Sequence, residues 1–232
     1  VQIEGSTALV TGANRGLGRR FAEALLLRGA RVYAAKRSPA LVDLPGVIPI
    51  QLDITDAASV AAAAAATGDV SLLINNAGSS TGASLLGGSL DDIRREMDTH
   101  FFGTLAVTRA FAPQLAEQGG GTILNVLSAL SWFSAPGIGA YCAAKAAEWS
   151  LTNSIRQELA EQGTQVSGLH VGYMDTDMTR HISAPKSDPA VVAEQALDEL
   201  EAGHAEILAD ERSRKLRAAL SGGVESLYPQ FA

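Results

Sequence analysis

The sequence predicts an α/β fold: one doubly wound parallel sheet of about seven strands with helices on both faces. Three observations lead there. Short apolar runs alternate with helix-periodic segments almost throughout the 232 residues, the pattern of strands joined by right-handed helical crossovers. Runs such as Val70-Ser71-Leu72-Leu73-Ile74 stay largely apolar instead of alternating, as strands covered on both faces do. The first run, Thr7-Ala8-Leu9-Val10, opens into a glycine-rich turn and then a helix, an arrangement that offers free N–H groups to a phosphate. No shift in composition divides the chain, so a single domain over residues 1–232 is expected.

Composition excludes several functions. With 18 basic and 25 acidic residues the net charge is −7, which disfavours nucleic acid or an anionic membrane as partner. No apolar stretch approaches the ~18 residues of a membrane span, and the start of the chain does not read as a secretory leader. Cys142 is the only cysteine, and the four histidines show no ligand spacing with it, so neither a disulfide nor a metal is expected and a cytoplasmic location is. Cys142 reads as a packing residue.

In chain order, the first strand ends in Gly12-Ala13-Asn14-Arg15-Gly16-Leu17-Gly18, after which Leu17, Phe21, Ala24 and Leu25 recur at helical spacing. The second strand, Arg31 to Ala35, is followed by Lys36 and Arg37 where an NAD-binding unit would place an acidic residue. With Arg15, three cations are available for a ribose 2′-phosphate, and Asp43 comes too late to compete. Val47 to Leu52 forms a third strand closing at Asp53-Ile54-Thr55-Asp56, and Ala57 to Ala66 is a strong helix former. The fourth strand runs from Val70 to Ile74 and ends in Asn75-Asn76-Ala77-Gly78. Ser89 then starts a helix expected to reach about Leu115, bent or ended by Pro113.

Thr122 to Leu127 is the fifth strand, with Ser128 at its carboxyl end, where open parallel sheets place ligand crevices. The loop from Ser131 to Ala140 carries Trp132, Phe133 and Ile138, read with Tyr173 and Met178 as the lining of an apolar substrate site. A helix from Tyr141 to about Gln162 stops at Gly163, and Val166 to Val171 is the sixth strand. After a short connection from Thr179 to Asp188, a helix capped by Asp188 spans Pro189 to Glu201, and Ala205 to Ala209 is the seventh strand. The basic cluster Arg212, Arg214, Lys215 and Arg217 reads as a solvated helix face. The tail from Gly222 to Ala232 is either a subunit contact or loosely ordered.

Tyr141 and Lys145 stand four residues apart, on one helix face. A phenol with a pKa of about 10 needs ~4 kcal/mol of differential stabilisation to titrate ~3 units lower. A cation 4 to 5 Å away contributes roughly 3 to 4 kcal/mol at an effective dielectric of ~20, so Lys145 is a perturbation of suitable size for Tyr141.

Taken together, Thr11-Gly12-(x3)-Gly16-x-Gly18, Asn75-Asn76-Ala77-Gly78, Ser128 and Tyr141-(x3)-Lys145 resemble the classical short-chain dehydrogenase/reductase (SDR) family over nearly the whole chain. The resemblance implies a Rossmann-type NAD(P)-binding domain, its substrate site built from the C-terminal half. It implies Tyr141 as proton donor to a carbonyl oxygen, Ser128 as a second donor there, and Lys145 as the group that lowers the Tyr141 pKa and holds the nicotinamide ribose. By the same resemblance Asp53 and Ile54 meet the adenine, Asn76-Ala77-Gly78 approaches the adenosine, Thr176 meets the carboxamide, and Lys36 and Arg37 match the cationic form of the second strand's end. Two positions depart from the family pattern. Val171-Gly172 replaces a Pro-Gly and loosens a backbone restraint, and His100 replaces the helix asparagine of the catalytic tetrad, where it is expected either to pack or to carry a pH-dependent proton relay.

The expected function is therefore an NADPH-preferring oxidoreductase acting on a small or apolar aldehyde, ketone or corresponding alcohol. The alternative is an NADP(H)-binding regulator or scaffold whose chemistry is impaired at His100. A homodimer or homotetramer joined through the helices from Ser89 and Tyr141 is expected on the family pattern.

Overall fold

The computed structural model describes residues 2–231, and Ala232 at the end of the tail lies outside them. Seven strands form one sheet in the order β3-β2-β1-β4-β5-β6-β7, and every neighbouring pair is parallel. They are β1 (Thr7–Thr11), β2 (Arg31–Lys36), β3 (Ile48–Gln51), β4 (Leu72–Asn75), β5 (Thr122–Val126), β6 (Gln165–His170) and β7 (Glu206–Leu208). Strand order reverses between β1 and β4, so the loops leaving these two strands lie side by side and open a crevice at their carboxyl ends. Pro49 is accommodated because β3 is an edge strand.

Alternate strand residues face opposite layers, as the pleat requires. Ala8 and Val10 of β1 join Phe21 and Leu25 of α1 (Gly16–Leu27) and Val192, Leu197 and Leu200 of α6 (Pro189–Glu201) in one core. Leu9 faces the other way. It joins Val60 of α2 (Ala57–Ala66), Phe111 and Leu115 of α4 (Thr104–Glu117), and Leu151 and Ile155 of α5 (Gly139–Glu158). Arg28 follows α1 and ties it to α6 through Glu194, Asp198 and Glu201. Ser89 and Asp188 cap α3 (Leu90–Met97) and α6 as expected, and Asp56 caps α2 in the same way, each side chain accepting a backbone N–H of the first turn.

The helix expected from Ser89 to about Leu115 is interrupted. Between α3 and α4 the chain makes a π-helical segment at Asp98–Gly103, and α4 then continues through Pro113 to Glu117. Proline costs a helical bond there, but the fully buried Phe111 and Leu115 anchor the turns around it on the sheet. The Tyr141 helix ends at Glu158, before the expected Gln162, and the chain turns through Gly163 at φ +75°. The basic cluster lies on α7 (Glu211–Ala219), where Arg214 and Lys215 pair with Glu211 and Arg217 pairs with Glu206. After α8 (Val224–Leu227), the Ser134 backbone N–H donates to the Tyr228 hydroxyl at 2.7 Å and the Phe133 and Tyr228 rings stack 5.0 Å apart. The tail thus packs on the loop that leads into α5.

Phe111 is fully buried between α4 and the sheet, so Phe111→Ala is expected to lower unfolding free energy by about 3–5 kcal/mol, read as a reduced denaturant midpoint with unchanged slope.

Candidate active site

Two loops leaving β1 and β4 are locked together by one threonine. The Thr11 hydroxyl accepts the Asn76 and Ala77 backbone N–H groups at 2.9 Å each and donates to the Ile74 carbonyl at 3.3 Å, while Asn76 Nδ2 returns to the Thr11 carbonyl at 2.8 Å. This leaves no room for a side chain at Gly18, where a Cβ would stand 2.4 Å from both Asn76 Nδ2 and the Gly12 carbonyl oxygen. Gly12 and Gly16 take positive φ of 67° and 53°, a conformation that glycine adopts without steric cost. Arg15 occupies the N-cap of α1 without a side-chain cap bond, so the first N–H groups of the helix carry no side-chain acceptor there. Asn14 lies half-buried in the same turn and Leu17 anchors it in the core.

At the end of β2 the cations gather. Burial lowers the Lys36 pKa, and the nearby charges of Arg15 and Arg37 lower it further, so the three form one positive site. Arg15 also pairs with Asp177 at 3.2 Å, whereas Asp43 is held away by Arg19. Asp53 accepts from the Thr55 backbone and hydroxyl, and Ile54 packs where a Cβ on Gly103 would come within 2.9 Å of it. Thr176 lies over Gly16, its methyl 3.4 Å from the position of a Cβ there. The segment from Thr179 to Asp188 is short and tied back, with a bridge from Met174 to Ser187.

Ser128, Tyr141 and Lys145 meet at the carboxyl end of β5. The Ser128 side chain favours the charged form of Tyr141, and its hydroxyl accepts the Leu130 N–H at 3.1 Å. Lys145 Nζ stands 5.9 Å from the Tyr141 ring centre. It donates to the Val126 carbonyl at 2.8 Å and to Glu148 Oε2 at 2.6 Å. The expected lowering of the Tyr141 pKa is not what this arrangement gives. Burial, the largest influence, pushes it up; Lys145 and Ser128 pull it down, while Glu148 and Glu96 oppose them, and the net direction is upward. Burial would lower Lys145, but Glu148 and then Tyr141 raise it past its ordinary value.

His100 lies within the π segment and is buried beneath the turn Gly78-Ser79. Its Nε2 is 2.8 Å from the Ser79 carbonyl, so that nitrogen carries a hydrogen, and its ring stands edge-on to Tyr141 at 5.2 Å. Glu96 Oε2 is 3.3 Å from Nε2, and Glu148 Oε2 is 3.9 Å from Nδ1. Glu96 and Glu148 escaped the sequence reading. Spacing was the available signal, since Glu148 follows Lys145 by three positions and Glu96 precedes His100 by four, both same-face separations. Buried amides join the site to the sheet: Asn75 Nδ2 donates to Asn125 Oδ1 at 2.9 Å, Asn125 Nδ2 to the Thr152 hydroxyl at 3.0 Å, and that hydroxyl to the Glu148 carbonyl at 2.7 Å.

Trp132 does not line a substrate site. It is buried, stacked on His170 at 3.7 Å and edge-on to Trp149. The restraint expected to be loose at Val171-Gly172 is supplied differently: the Gly172 N–H donates to Asp210 Oδ2 at 2.6 Å and the Val171 carbonyl accepts from the Ala129 N–H at 3.0 Å.

Residues 6–187 match the family model described as short chain dehydrogenase. The chain belongs to the short-chain dehydrogenase family. This SDR is 33% identical over 199 residues to D-erythrulose reductase of Gallus gallus, spanning 83% of the chain and 81% of the relative. It is 33% identical over 195 residues to carbonyl reductase [NADPH] 2 of Sus scrofa, spanning 82% and 79%. A solved short chain dehydrogenase of Burkholderia cenocepacia in complex with NADP superposes with a TM-score of 0.95 at 38% identity, covering 99% of this chain and 98% of that one. It is an oxidoreductase of a family that binds nicotinamide cofactors. The cradle fits such a group, because a side chain at Gly18 would collide with its walls and the open end of α1 faces the crevice with N–H groups.

His170 is a further residue of this SDR that its sequence did not flag. Its Nδ1–H donates to the Ser128 carbonyl at 3.1 Å. Burial lowers its pKa from 6.5 to about 3, with the cations Arg217, Lys145 and Arg156 adding to the fall. A depressed histidine contributes stability present above the unfolded pKa and lost as pH falls toward the folded one, at about 1.4 kcal/mol per unit. Between pH 7 and 5 the parent should lose about 2 kcal/mol more unfolding free energy than His170→Gln, measured by denaturant titration of both proteins at each pH.

Proposed function

We propose that this SDR is an NADPH-preferring carbonyl reductase-type enzyme, transferring hydride between the nicotinamide and a small or apolar aldehyde, ketone or corresponding alcohol. The observation that carries this reading is the meeting of a phenol, a hydroxyl and an ammonium at one enclosed spot beside the glycine cradle. Bound NADPH supplies the hydride that forms the new C–H bond. Tyr141 gives its hydroxyl proton to the carbonyl oxygen, and the Ser128 hydroxyl steadies both the developing alkoxide and the phenolate left behind. The Lys145 ammonium opposes the charge left on Tyr141, and His100 occupies the tetrad position behind it. Gly12, Gly16 and Gly18 admit the pyrophosphate; Asn14, Leu17, Asp53, Ile54, Asn76, Ala77, Gly78 and Thr176 surround the rest of the cofactor. The relatives named as carbonyl and erythrulose reductases support the same chemistry. Phe133, Ile138, Tyr173 and the exposed Met178 remain the apolar lining once Trp132 is withdrawn.

Assembly into a homodimer or homotetramer through α4 and α5 belongs to this reading. Between these helices lies a groove of about 410 Å³, lined by Leu105, Ala112, Pro113, Ile155 and Leu159 among others. A cytoplasmic setting, with no nucleic acid, membrane or metal among the partners, completes it. NADPH consumption with a panel of aldehydes and ketones tests the function; enhanced NADPH fluorescence without turnover on any of them would favour the regulator or scaffold instead.

Arg15, Lys36 and Arg37 form the positive site that selects a 2′-phosphate through charge-assisted contacts. Arg37→Asp is expected to raise the KM for NADPH about tenfold or more while changing that for NADH much less. Equal effects on both would place the phosphate elsewhere.

Tyr141→Phe removes the proton donor and keeps the aromatic body, so reduction should fall by about a thousandfold with the NADPH dissociation constant nearly unchanged. Lys145→Ala should damage both turnover and cofactor affinity. Steady-state kinetics and fluorescence titration on the two variants separate these effects.

A further inference from the structure

Lys145 is bound more tightly than a lysine that only neighbours a tyrosine requires. Its ammonium is clamped between the Val126 carbonyl and Glu148 Oε2, and the second oxygen of that carboxylate accepts the Thr104 hydroxyl at 3.1 Å. Glu148 Oε2 also faces His100 Nδ1 at 3.9 Å, and Glu96 faces the other side of the imidazole at 3.3 Å. Glu96, His100, Lys145 and Glu148 are all at least 95% buried. A buried carboxylate persists only when its charge is matched and its oxygens are hydrogen-bonded, and Glu148 meets both conditions through Lys145 and Thr104.

We propose that Glu148 is a positioning residue for the Tyr141–Lys145 pair, its carboxylate holding the ammonium on one side and facing His100 on the other, so that the site is set to deliver a proton to a carbonyl rather than to take one from an alcohol. This rests on the proposed reductase reading. Lys145 alone would favour the phenolate. Burial already holds the proton on Tyr141, and Glu148 cancels part of the opposing field, so Tyr141 keeps its proton to higher pH than burial and Lys145 alone would allow. During reduction the Tyr141 Oη–H bond breaks as the bond from that hydrogen to the carbonyl oxygen forms, and the hydride comes from the nicotinamide. The charged or titratable groups around Tyr141 are Lys145 and Glu148 on α5, Glu96 on α3 and His100 on the π segment; the charge of Lys145 also acts on His170 of β6.

The test follows the Tyr141 phenolate by ultraviolet difference absorbance, each protein being compared with the same protein carrying Tyr141→Phe. No cofactor or turnover is needed, so the result stands even if the reductase reading fails in the substrate panel. In the parent the Tyr141 midpoint should lie above the ~10 of an ordinary tyrosine. In Glu148→Gln, which keeps a side chain of the same shape, it should fall by about one pH unit or more. Glu148→Asp retains the charge and should move it less than half as far. Where turnover is seen, the alkaline limb of the reduction profile should shift by the same amount as the phenolate. A parent midpoint at or below that of free tyrosine overturns the proposal whether or not the variants fold. So does an unmoved midpoint in Glu148→Gln, an Asp variant that shifts as far as Gln, or an alkaline limb that stays in place when the phenolate moves.

Discussion

The site depends on a continuous run of buried polar contacts from the middle of the sheet into α5: Asn75 to Asn125, Asn125 to Thr152, Thr152 to the Glu148 carbonyl, and the Glu148 side chain to Lys145. Each group in it is enclosed, and a polar group left unmatched there costs about 1–3 kcal/mol or more. The contacts therefore set the height of α5 along β4 and β5, because sliding the helix would break them together. Tyr141 inherits that position. An apolar interface between the same elements would tolerate small shifts that a hydrogen-bonded one forbids.

A second lock acts at the neighbouring switch point. Thr11 and Asn76 tie the loop after β1 to the loop after β4, which places the phosphate cradle and the Tyr141 site on one rigid edge. The two locks meet at the end of β4, where Asn75, its last residue, belongs to the first and Asn76, which follows it, to the second. Asn75 reaches Thr108 of α4 and, through Asn125, Thr152 of α5, while Asn76, just past the strand, turns to the glycine loop.

Much of this was legible because it is local. The fold class followed from alternating apolar periodicity, and the glycines, Asp188, Pro189 and the Tyr141–Lys145 spacing each act within a few residues of chain. The order of strands and their parallel pairing agree with that reading. What escaped depends on distant partners. Trp132 looked like a pocket wall because a loop tryptophan carries no mark of the buried histidine on β6 that it stacks against. The expected lowering of Tyr141 rested on the cation four residues on, whereas burial by distant elements outweighs it and Glu148, one turn further along the same helix, opposes it as well. The π segment had no compositional signal, and the one helix drawn from Ser89 onward missed it.

That segment has a geometric consequence. Glu96, His100 and Thr104 recur every four residues, and four residues of α-helix overshoot a full turn by about 40°, so over eight residues the stripe would wind away from α5. A wider turn with its bonds reaching one residue further undershoots instead, and inserting it between α3 and α4 cancels the drift. The three side chains stay in one column toward α5. The stretch thus behaves as a rotational spacer: removing a single residue from it would turn everything before it relative to everything after, and would separate the histidine from its carboxylates without altering any of them.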